Sequence, residues 1–152
     1  MKRTFGLNRY GKSEQSKAIR KLDAAVSKMV RERDEKLGCI TSGRIGIPLD
    51  CGHFRRRECM STRFHPLNVN GQAVKDNRFE GGRTFEYGLA LDRRYGTGCA
   101  LFLDKLSRSF EGAWSLDDMA FLTDAARKGA RVYEQVYYSL RPHHRFDKIA
   151  GK

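Results

Sequence analysis

With 152 residues, the chain is long enough for one domain with a hydrophobic core, and no apolar run approaches the roughly 20 residues of a membrane span. Its 30 Lys and Arg residues outnumber its 18 Asp and Glu residues, which gives a formal net charge of +12. This excess favours a polyanionic partner, most simply nucleic acid, with solubility alone as the other interpretation, and the lack of a secretory signal pattern predicts a cytoplasmic protein.

The first third of the chain changes from a basic arm to a helix and then to short strands. Residues 1–12 are basic and contain glycine, and we expect a mobile arm that can lie along phosphates. From Ser13, apolar residues recur every three or four positions and predict an amphipathic helix to about residue 36. Glycines and alternating isoleucines between 37 and 54 then predict a β-hairpin whose second strand ends near His53. Residues 55–67 are predicted to form a basic, irregular loop.

The second half of the chain is predicted to be helical. Thr84 is a candidate cap for a helix over 85–95 that buries Phe85, Leu89 and Leu91, and residues 99–106 form a short apolar helix. Ser115 is predicted to begin a final helix that ends before Pro142. The apolar seam of this last helix packs either on this domain or on a partner chain. Residues 142–152 are predicted to be a loose basic tail.

Three polar residues between the strands and the next helix have the chemistry of a phosphodiesterase. His53 suits the activation of water, because the pKa of histidine lies near neutral pH. Asn77, on the first turn of the following helix, offers an amide oxygen to a divalent cation such as Mg²⁺. Asn68, in the connecting loop, is placed to hydrogen-bond the backbone around His53 and to fix the direction and tautomer of the imidazole. The spacing H-x14-N-x8-N is by itself a weak signal.

Basic residues crowd around this candidate site. Arginine matches phosphate oxygens with two hydrogen bonds, and backbone contacts dominate affinity for DNA. The alternative is a solvated basic loop. The predicted DNA-binding residues are Arg55, Arg56, Arg57, Arg63, Lys75 and Arg78.

The remaining histidines and the single tryptophan have less definite predictions. His65, His143 and His144 have no partner that the sequence identifies, and we expect them at the surface. Trp114 is expected to anchor the start of the last helix.

The runs RERDEKLGCITSG, DCGHF, TRFHPLNVNGQ and DNRFEGG resemble, in their order and gaps, the NinG/Rap recombination endonucleases of lambdoid phages. These belong to the HNH, or His-Me finger, superfamily. The resemblance covers about residues 15–100 and implies an α+β fold in which a ββα-metal finger with a β-hairpin is embedded among several helices. It implies one nuclease domain over 13–141, with the finger at about 37–95 and flanking helices at 13–37 and 99–141.

The resemblance also implies an activity and a set of roles. The activity is endonucleolytic cleavage of branched DNA, such as Holliday junctions or D-loops, in phage recombination in the host cytoplasm. By position, His53 is the general base, Asn68 the loop asparagine and Asn77 the ligand of Mg²⁺ or Mn²⁺. Arg63 lies at the family's own arginine position. Asp50 is either a second metal ligand or a strand-end aspartate.

One departure from the family pattern concerns structural zinc. The pattern carries two C-x2-C pairs, and only the first cysteine, Cys39, is present here, with Ser42, Ala73 and Asp76 at the other three positions. A structural zinc needs about four Cys or His ligands, so none is predicted. Cys51, Cys59 and His65 have no spacing that rebuilds a site. We expect this region to be held by an apolar contact of Ile40 and Val74 or by polar bonds of Lys75 and Asp76.

The sequence leaves three functions open. The first is a Mg²⁺-dependent endonuclease selective for branched DNA. The second is a catalytically inactive junction-binding protein with a vestigial HNH finger, which the lost cysteines favour. The third is an HNH enzyme that nicks or cuts DNA without branch preference. A homodimer is a further expectation, because branched DNA with two-fold symmetry is commonly bound by two-fold dimers.

Overall fold

Helices dominate the computed structural model, which describes residues 13–111 and 113–147. Two short strands form an antiparallel sheet, so the described chain is of the α+β class. The predicted arm at 1–12 lies outside the described residues. No helix in the described ranges is long and apolar enough to cross a membrane. In chain order the elements are α1 (Glu14–Asp34), β1 (Leu49–His53), α2 (Met60–Arg63), β2 (Val69–Ala73), α3 (Val74–Arg78), α4 (Thr84–Tyr95), α5 (Cys99–Ser107), α6 (Leu116–Lys128), α7 (Ala130–Leu140) and a 3₁₀ turn (Pro142–His144).

Helix α1 forms as its periodicity predicts. The Ser13 hydroxyl caps it by accepting a hydrogen bond from the backbone N–H of Ser16 at 3.2 Å. Its apolar face, which includes Leu22, Val26 and Met29, is buried. That face belongs to the same core as the buried side chains of α6 and α7, so the seam of the predicted last helix packs on this domain.

The β-hairpin predicted within residues 37–54 is wrong, because β1 pairs with β2 rather than with a strand before it. The register runs from Leu49 opposite Ala73 to His53 opposite Val69. The segment before β1 forms turns instead, and Gly38 has a φ of +83° where an added Cβ would lie 2.6 Å from the Arg44 carbonyl oxygen. The connection between the strands also contains the short helix α2, where an irregular loop was predicted.

A buried carboxylate docks the sheet on α1. Asp34, at the end of that helix, accepts a hydrogen bond from the Gly71 backbone N–H at 2.7 Å. The neighbouring Arg33 donates to both oxygens of Asp34, at 2.7 and 2.8 Å, and to the Val69 carbonyl at 2.9 Å. A Cβ at position 71 would lie 2.9 Å from the Cβ of Asp34, so the close approach of helix and strand requires glycine there.

A second core packs under α4 and α5 and includes Ile40, Phe54 and Leu103. The expectation for α4 is only partly correct. Leu91 is buried, but Phe85 and Leu89 are 77% and 47% exposed. The helix begins at Thr84, after Arg83 in a left-handed conformation with φ +46°, and no side chain caps it. Its buried residues are Tyr87, Ala90 and Leu91.

The predicted final helix is two helices. Ser115 caps α6 by accepting from the Asp118 N–H at 3.0 Å, as expected. Gly129, with φ +120° and ψ +168°, then interrupts the chain, and α7 begins at Ala130. Trp114 is 3% exposed and lies 5.6 Å from the Tyr137 ring, which agrees with its predicted anchoring role.

The described part of the basic tail is packed rather than loose. Pro142–His144 form a 3₁₀ turn, and the Phe146 ring lies 5.4 Å from that of Phe102. The surface position predicted for His65 and His144 is wrong, because both side chains are fully buried. Their rings stack on one another with centroids 5.8 Å apart.

Replacing Asp34 with alanine should destabilise the fold strongly, since it leaves the Gly71 N–H and the Arg33 guanidinium buried without their shared acceptor. Breaking a buried pair in this way costs roughly 3–5 kcal/mol. Asp124→Ala is the matched control, because the Asp124–Lys128 pair at 2.9 Å has side chains 65% and 62% exposed. Urea unfolding of both variants measures the difference, and equal effects would contradict a central role for Asp34.

Candidate functional site

An open pocket lies at the end of β1, where strand β1, the segment after it and helix α3 meet. His53 is the last residue of β1, and Asn77 lies on α3, which directly follows β2. The structure therefore brings together two of the three predicted site residues. The lining residues are Cys51, His53, Arg56, Arg57, Glu58, Asn77, Gly81 and Gly82.

The environment of His53 keeps its imidazole neutral. Burial, followed by the nearby positive charge of Arg57, lowers the pKa of His53 to about 4. A hydrogen bond to the backbone of Arg63 and the charge of Asp23 act in the opposite direction and are outweighed. At neutral pH His53 is thus an unprotonated base facing a pocket that carries positive charge.

Asn68 holds the backbone just beyond His53. Its fully buried side chain accepts from the Arg55 N–H at 2.7 Å and donates to the Arg55 carbonyl at 3.0 Å. The Asn68 carbonyl also accepts from the Phe54 N–H at 2.9 Å. The Asn68 side chain therefore closes the segment after β1 through the backbone of Arg55. Its effect on the direction and tautomer of the His53 imidazole stays a prediction.

Asp50 and Asn77 lie within hydrogen-bond distance of each other. The Asn77 amide donates to Asp50 Oδ2 at 3.1 Å, and Arg78 donates to the two oxygens of Asp50 at 2.8 and 3.0 Å. Although burial raises the pKa of Asp50, the hydrogen bonds from Arg78 and Asn77 hold it below its ordinary value. Side chains alternate along a strand, so Asp50 and His53 project from opposite faces of β1, and Asn77 connects Asp50 to the pocket.

The predicted DNA-binding arginines divide into two groups. Arg56 and Arg57 are exposed and line the pocket. Arg55 instead pairs with Asp104 on α5 at 2.8 Å, and its guanidinium carbon lies 4.5 Å from the Phe54 ring centroid.

Arg63, predicted to bind phosphate, has a different partner in this structure. Its guanidinium contacts both oxygens of Asp23 on α1, at 3.1 and 2.5 Å, and also donates to the Arg57 carbonyl. The side chain is only 17% exposed. Arg63 therefore ties α1 to the segment beside the pocket. Lys75 and Arg78 are exposed on α3, where Lys75 lies 3.7 Å from Glu80 and Arg78 pairs with Asp50.

Hydrogen bonds hold the region where the family pattern expects structural zinc. The Cys39 sulfur accepts from the backbone N–H groups of Ala73 at 3.1 Å and Ser42 at 3.5 Å. Thr41 donates to Asp76 Oδ2 at 2.7 Å, and the Cys39 thiol lies 3.7 Å from the same oxygen. We call these five residues the Cys39 cluster. Of the contacts expected from the sequence, the polar bonds of Asp76 are present.

Several residues around the site were not found by sequence reasoning. Glu58 is the acidic residue in the pocket lining. It directly follows three arginines, and only the positive charge of that run entered the sequence-based prediction. Tyr87 is fully buried on α4 and donates to the Gly52 carbonyl at 2.8 Å, which fixes β1 next to His53. Asn70 in turn donates to the Tyr87 hydroxyl at 3.2 Å. Nothing local in the sequence marks Tyr87, because its partner lies 35 residues away.

The described chain is thus an α+β protein in which a two-stranded sheet is surrounded by helices. A polar pocket that contains histidine, asparagine and arginine lies at the end of this sheet. The family model described as Bacteriophage Lambda NinG protein matches residues 8–135. The chain therefore belongs to the NinG family.

Individual relatives match a shorter part of the chain. Protein ninG of Enterobacteria phage H19B is 34% identical over 80 residues, which cover 51% of this chain and 40% of the relative. The proteins ninG of Escherichia phage lambda and Salmonella phage P22 are each 32% identical over 80 residues, covering 51% of this chain and 39% of the relative. The chain thus matches about two fifths of the length of these curated relatives. No solved structure matches the chain.

Because burial and Arg57 lower the pKa of His53, the imidazole should titrate near pH 4, well below its ordinary value of 6.5. The unfolded chain binds this proton first, so the contribution of His53 to stability is complete above pH 6.5 and is lost as the pH falls towards 4. NMR titration of the His53 ring measures the midpoint. Arg57→Gln should raise it, while the exposed Arg131→Gln should leave it unchanged. A midpoint near 6.5 in the unmodified protein would contradict the described environment.

Proposed function

We propose that this protein is a metal-dependent DNA endonuclease of the HNH, or His-Me finger, type. The observation that carries the proposal is that His53 and Asn77 line one pocket together with Arg56 and Arg57. A base, an amide ligand and phosphate-binding side chains are the groups that phosphodiester hydrolysis requires. The preference for branched recombination intermediates, such as Holliday junctions and D-loops, rests on the resemblance of the sequence to the recombination endonucleases.

In this mechanism the neutral His53 accepts a proton from the attacking water. Its low pKa keeps it unprotonated at neutral pH. Asn68 contributes indirectly, since its two hydrogen bonds to Arg55 set the backbone that follows the base. Asn68 is therefore a positioning residue, and His53 is the residue that exchanges a proton with the reacting atoms.

The residues next to the pocket fit Mg²⁺ or Mn²⁺ in their donor chemistry. Asp50 offers carboxylate oxygens, and Asn77, whose amide nitrogen donates to Asp50, offers its amide oxygen. Mg²⁺ prefers oxygen ligands and keeps several waters, so one or two protein ligands suffice. When bound, the cation supplies charge neutralisation at the phosphate and assistance to the departing 3′ oxygen. Arg78, which is exposed, must release one Asp50 oxygen for such binding.

The charge distribution supports DNA as the substrate. The net charge is +12, and Arg56 and Arg57 place exposed positive charge at the rim of the pocket, beside His53. Arg63 is assigned a structural role in this proposal because Asp23 already binds it. The expected homodimer stays a prediction, and it requires surfaces other than the apolar seams of α1 and α6, which pack on each other.

A second candidate is a junction-binding protein without catalytic activity. The ion pair of Asp50 with Arg78 favours it, because an arginine at 2.8 Å occupies the carboxylate that the metal would use. Binding without cleavage would follow if this pair persists on DNA. Nicking or cutting without branch preference is the third outcome, and substrate comparison separates it from the first.

Cleavage of a labelled four-way junction in Mg²⁺ tests the proposal. His53→Ala should lower the rate by roughly 10²–10⁴, the usual contribution of a placed general base. Duplex and single-stranded DNA of the same sequence serve as comparison substrates. Lys128→Ala is the control, because this exposed residue of α6 lies outside the pocket lining and should leave cleavage unchanged.

Absence of cleavage by the unmodified protein in both Mg²⁺ and Mn²⁺, with tight junction binding, would establish the second candidate instead. Equal cleavage of junction and duplex would establish the third. Cleavage that His53→Ala does not change would contradict the assignment of the base.

DNA affinity should depend on the two pocket arginines. Removing Arg56 and Arg57 together should weaken binding in a sequence-independent way and lower the magnitude of the salt slope by about 1 for each phosphate that is no longer neutralised. Arg93→Ala, an exposed arginine on α4, is the control and should change neither quantity. Fluorescence anisotropy at several salt concentrations measures both, and an unchanged slope in the double variant would place the DNA on another surface.

A further inference from the structure

A second group of potential metal ligands lies outside the pocket, where the chain beyond α7 meets the segment before α6. Glu111 precedes α6, and His143 and His144 belong to the 3₁₀ turn. The ligand atoms of these three residues all lie within 4.8 Å of one another. Both imidazoles direct Nε2 at the same carboxylate, with His143 at 3.0 Å from Oε1 and His144 at 2.8 Å from both Oε1 and Oε2.

His144 is held as metal-ligating histidines usually are. Its side chain is fully buried, and its Nδ1 lies 2.8 Å from the Tyr137 hydroxyl. A partner at the second ring nitrogen fixes both the tautomer and the ring direction of a ligating histidine. In the tautomer with Nδ1–H donating to Tyr137, Nε2 would present its lone pair to a metal ion held together with Glu111 and His143. The cluster therefore combines a buried, fixed histidine, His144, with an exposed one, His143.

The backbone around His144 is fixed as well. His65 Nε2 bonds to the His144 carbonyl at 2.9 Å, and the His65 ring stacks on that of His144. The nitrogens of His143 and His144 converge on the Glu111 carboxylate, and two imidazole nitrogens with one carboxylate form a donor set typical of zinc.

We propose that Glu111, His143 and His144 form a binding site for Zn²⁺ that is separate from the pocket of His53. The donor set, two imidazoles and one carboxylate, matches the three-ligand zinc sites that keep a fourth position for water. Zinc–nitrogen bonds are about 2.0–2.1 Å long, so the donors need only separate slightly from their present 2.8–3.0 Å contacts to admit the ion. Mg²⁺ is a poor fit, because it prefers oxygen ligands.

The site joins parts of the chain that are far apart in sequence. Glu111 lies 32 and 33 residues before its two partners, so a bound ion would close the connection before α6 onto the turn after α7. Through His65, the same turn contacts the segment between β1 and β2. Zinc binding should therefore stabilise the native state, by an amount that rises with free ion concentration.

The alternative for these residues is hydrogen bonding of the imidazoles to Glu111, without a metal. Calorimetric titration of the full chain with Zn²⁺ alone, after treatment with chelator, separates the two. We expect one site of micromolar affinity and an increase in Tm with Zn²⁺ but not with Mg²⁺. His143→Ala and Glu111→Gln should each weaken this site at least tenfold, and His143 is 60% exposed, so its replacement should not prevent folding.

Two controls make the result specific. His53→Ala removes the histidine of the other pocket and should leave the Zn²⁺ affinity unchanged. Glu58→Gln removes an exposed glutamate of that pocket and should also have no effect. Absence of Zn²⁺ binding, or affinity that is lost in His53→Ala and kept in His143→Ala and Glu111→Gln, would overturn the proposal.

Discussion

The hydrogen bond from the Gly71 N–H to the buried Asp34 carboxylate is the contact on which the site depends. A sheet of two strands is at best marginally stable in water on its own. Here Asp34 and Arg33 of α1 bind β2 through hydrogen bonds. Strand β1 in turn pairs with β2 in an antiparallel ladder. The candidate base at the end of β1 is therefore positioned by a helix that contributes nothing to the pocket lining. The absence of a side chain at Gly71 is what allows the carboxylate to reach the backbone.

The strand also separates two kinds of chemistry. His53 faces a pocket whose burial and positive charge favour its neutral form, whereas Asp50, on the other face, is kept ionised by Arg78 and Asn77. Asn77 contacts Asp50 and also lines the pocket of His53. A neutral base and a charged carboxylate can thus lie three residues apart without competing for a proton, because the pleat of the strand directs them to opposite sides.

The parts of the fold that sequence reasoning predicted correctly are those that local chemistry controls. The caps Ser13 and Ser115 and the buried face of α1 follow from spacing and side-chain type. The partner of β1 was missed because pairing crosses a connection of fifteen residues, and the run between 37 and 47 has strand-like isoleucines but bends at its glycines. In the candidate site, Asn68 contacts the backbone of Arg55, and Asn77 lines the pocket of His53. The partner of Arg63 could not be read from the sequence, because Asp23 lies 40 residues earlier. His144 was misjudged for the same reason, because Glu111 and Tyr137 reach it only in the folded chain.

The Cys39 cluster has a consequence for how this region is assembled. All of its contacts are made by groups that the chain itself supplies, namely a thiol, a hydroxyl, a carboxylate and two backbone N–H groups. Closure of these hydrogen bonds is therefore a unimolecular step that needs no second molecule. A segment held by a bound metal ion would instead form at a rate that depends on the concentration of that ion. It would also compete for the ion with every other chelator present. Because Asp34 of α1 also holds β2, this cluster and the β1–β2 pair can form together once residues 34–76 have been synthesised.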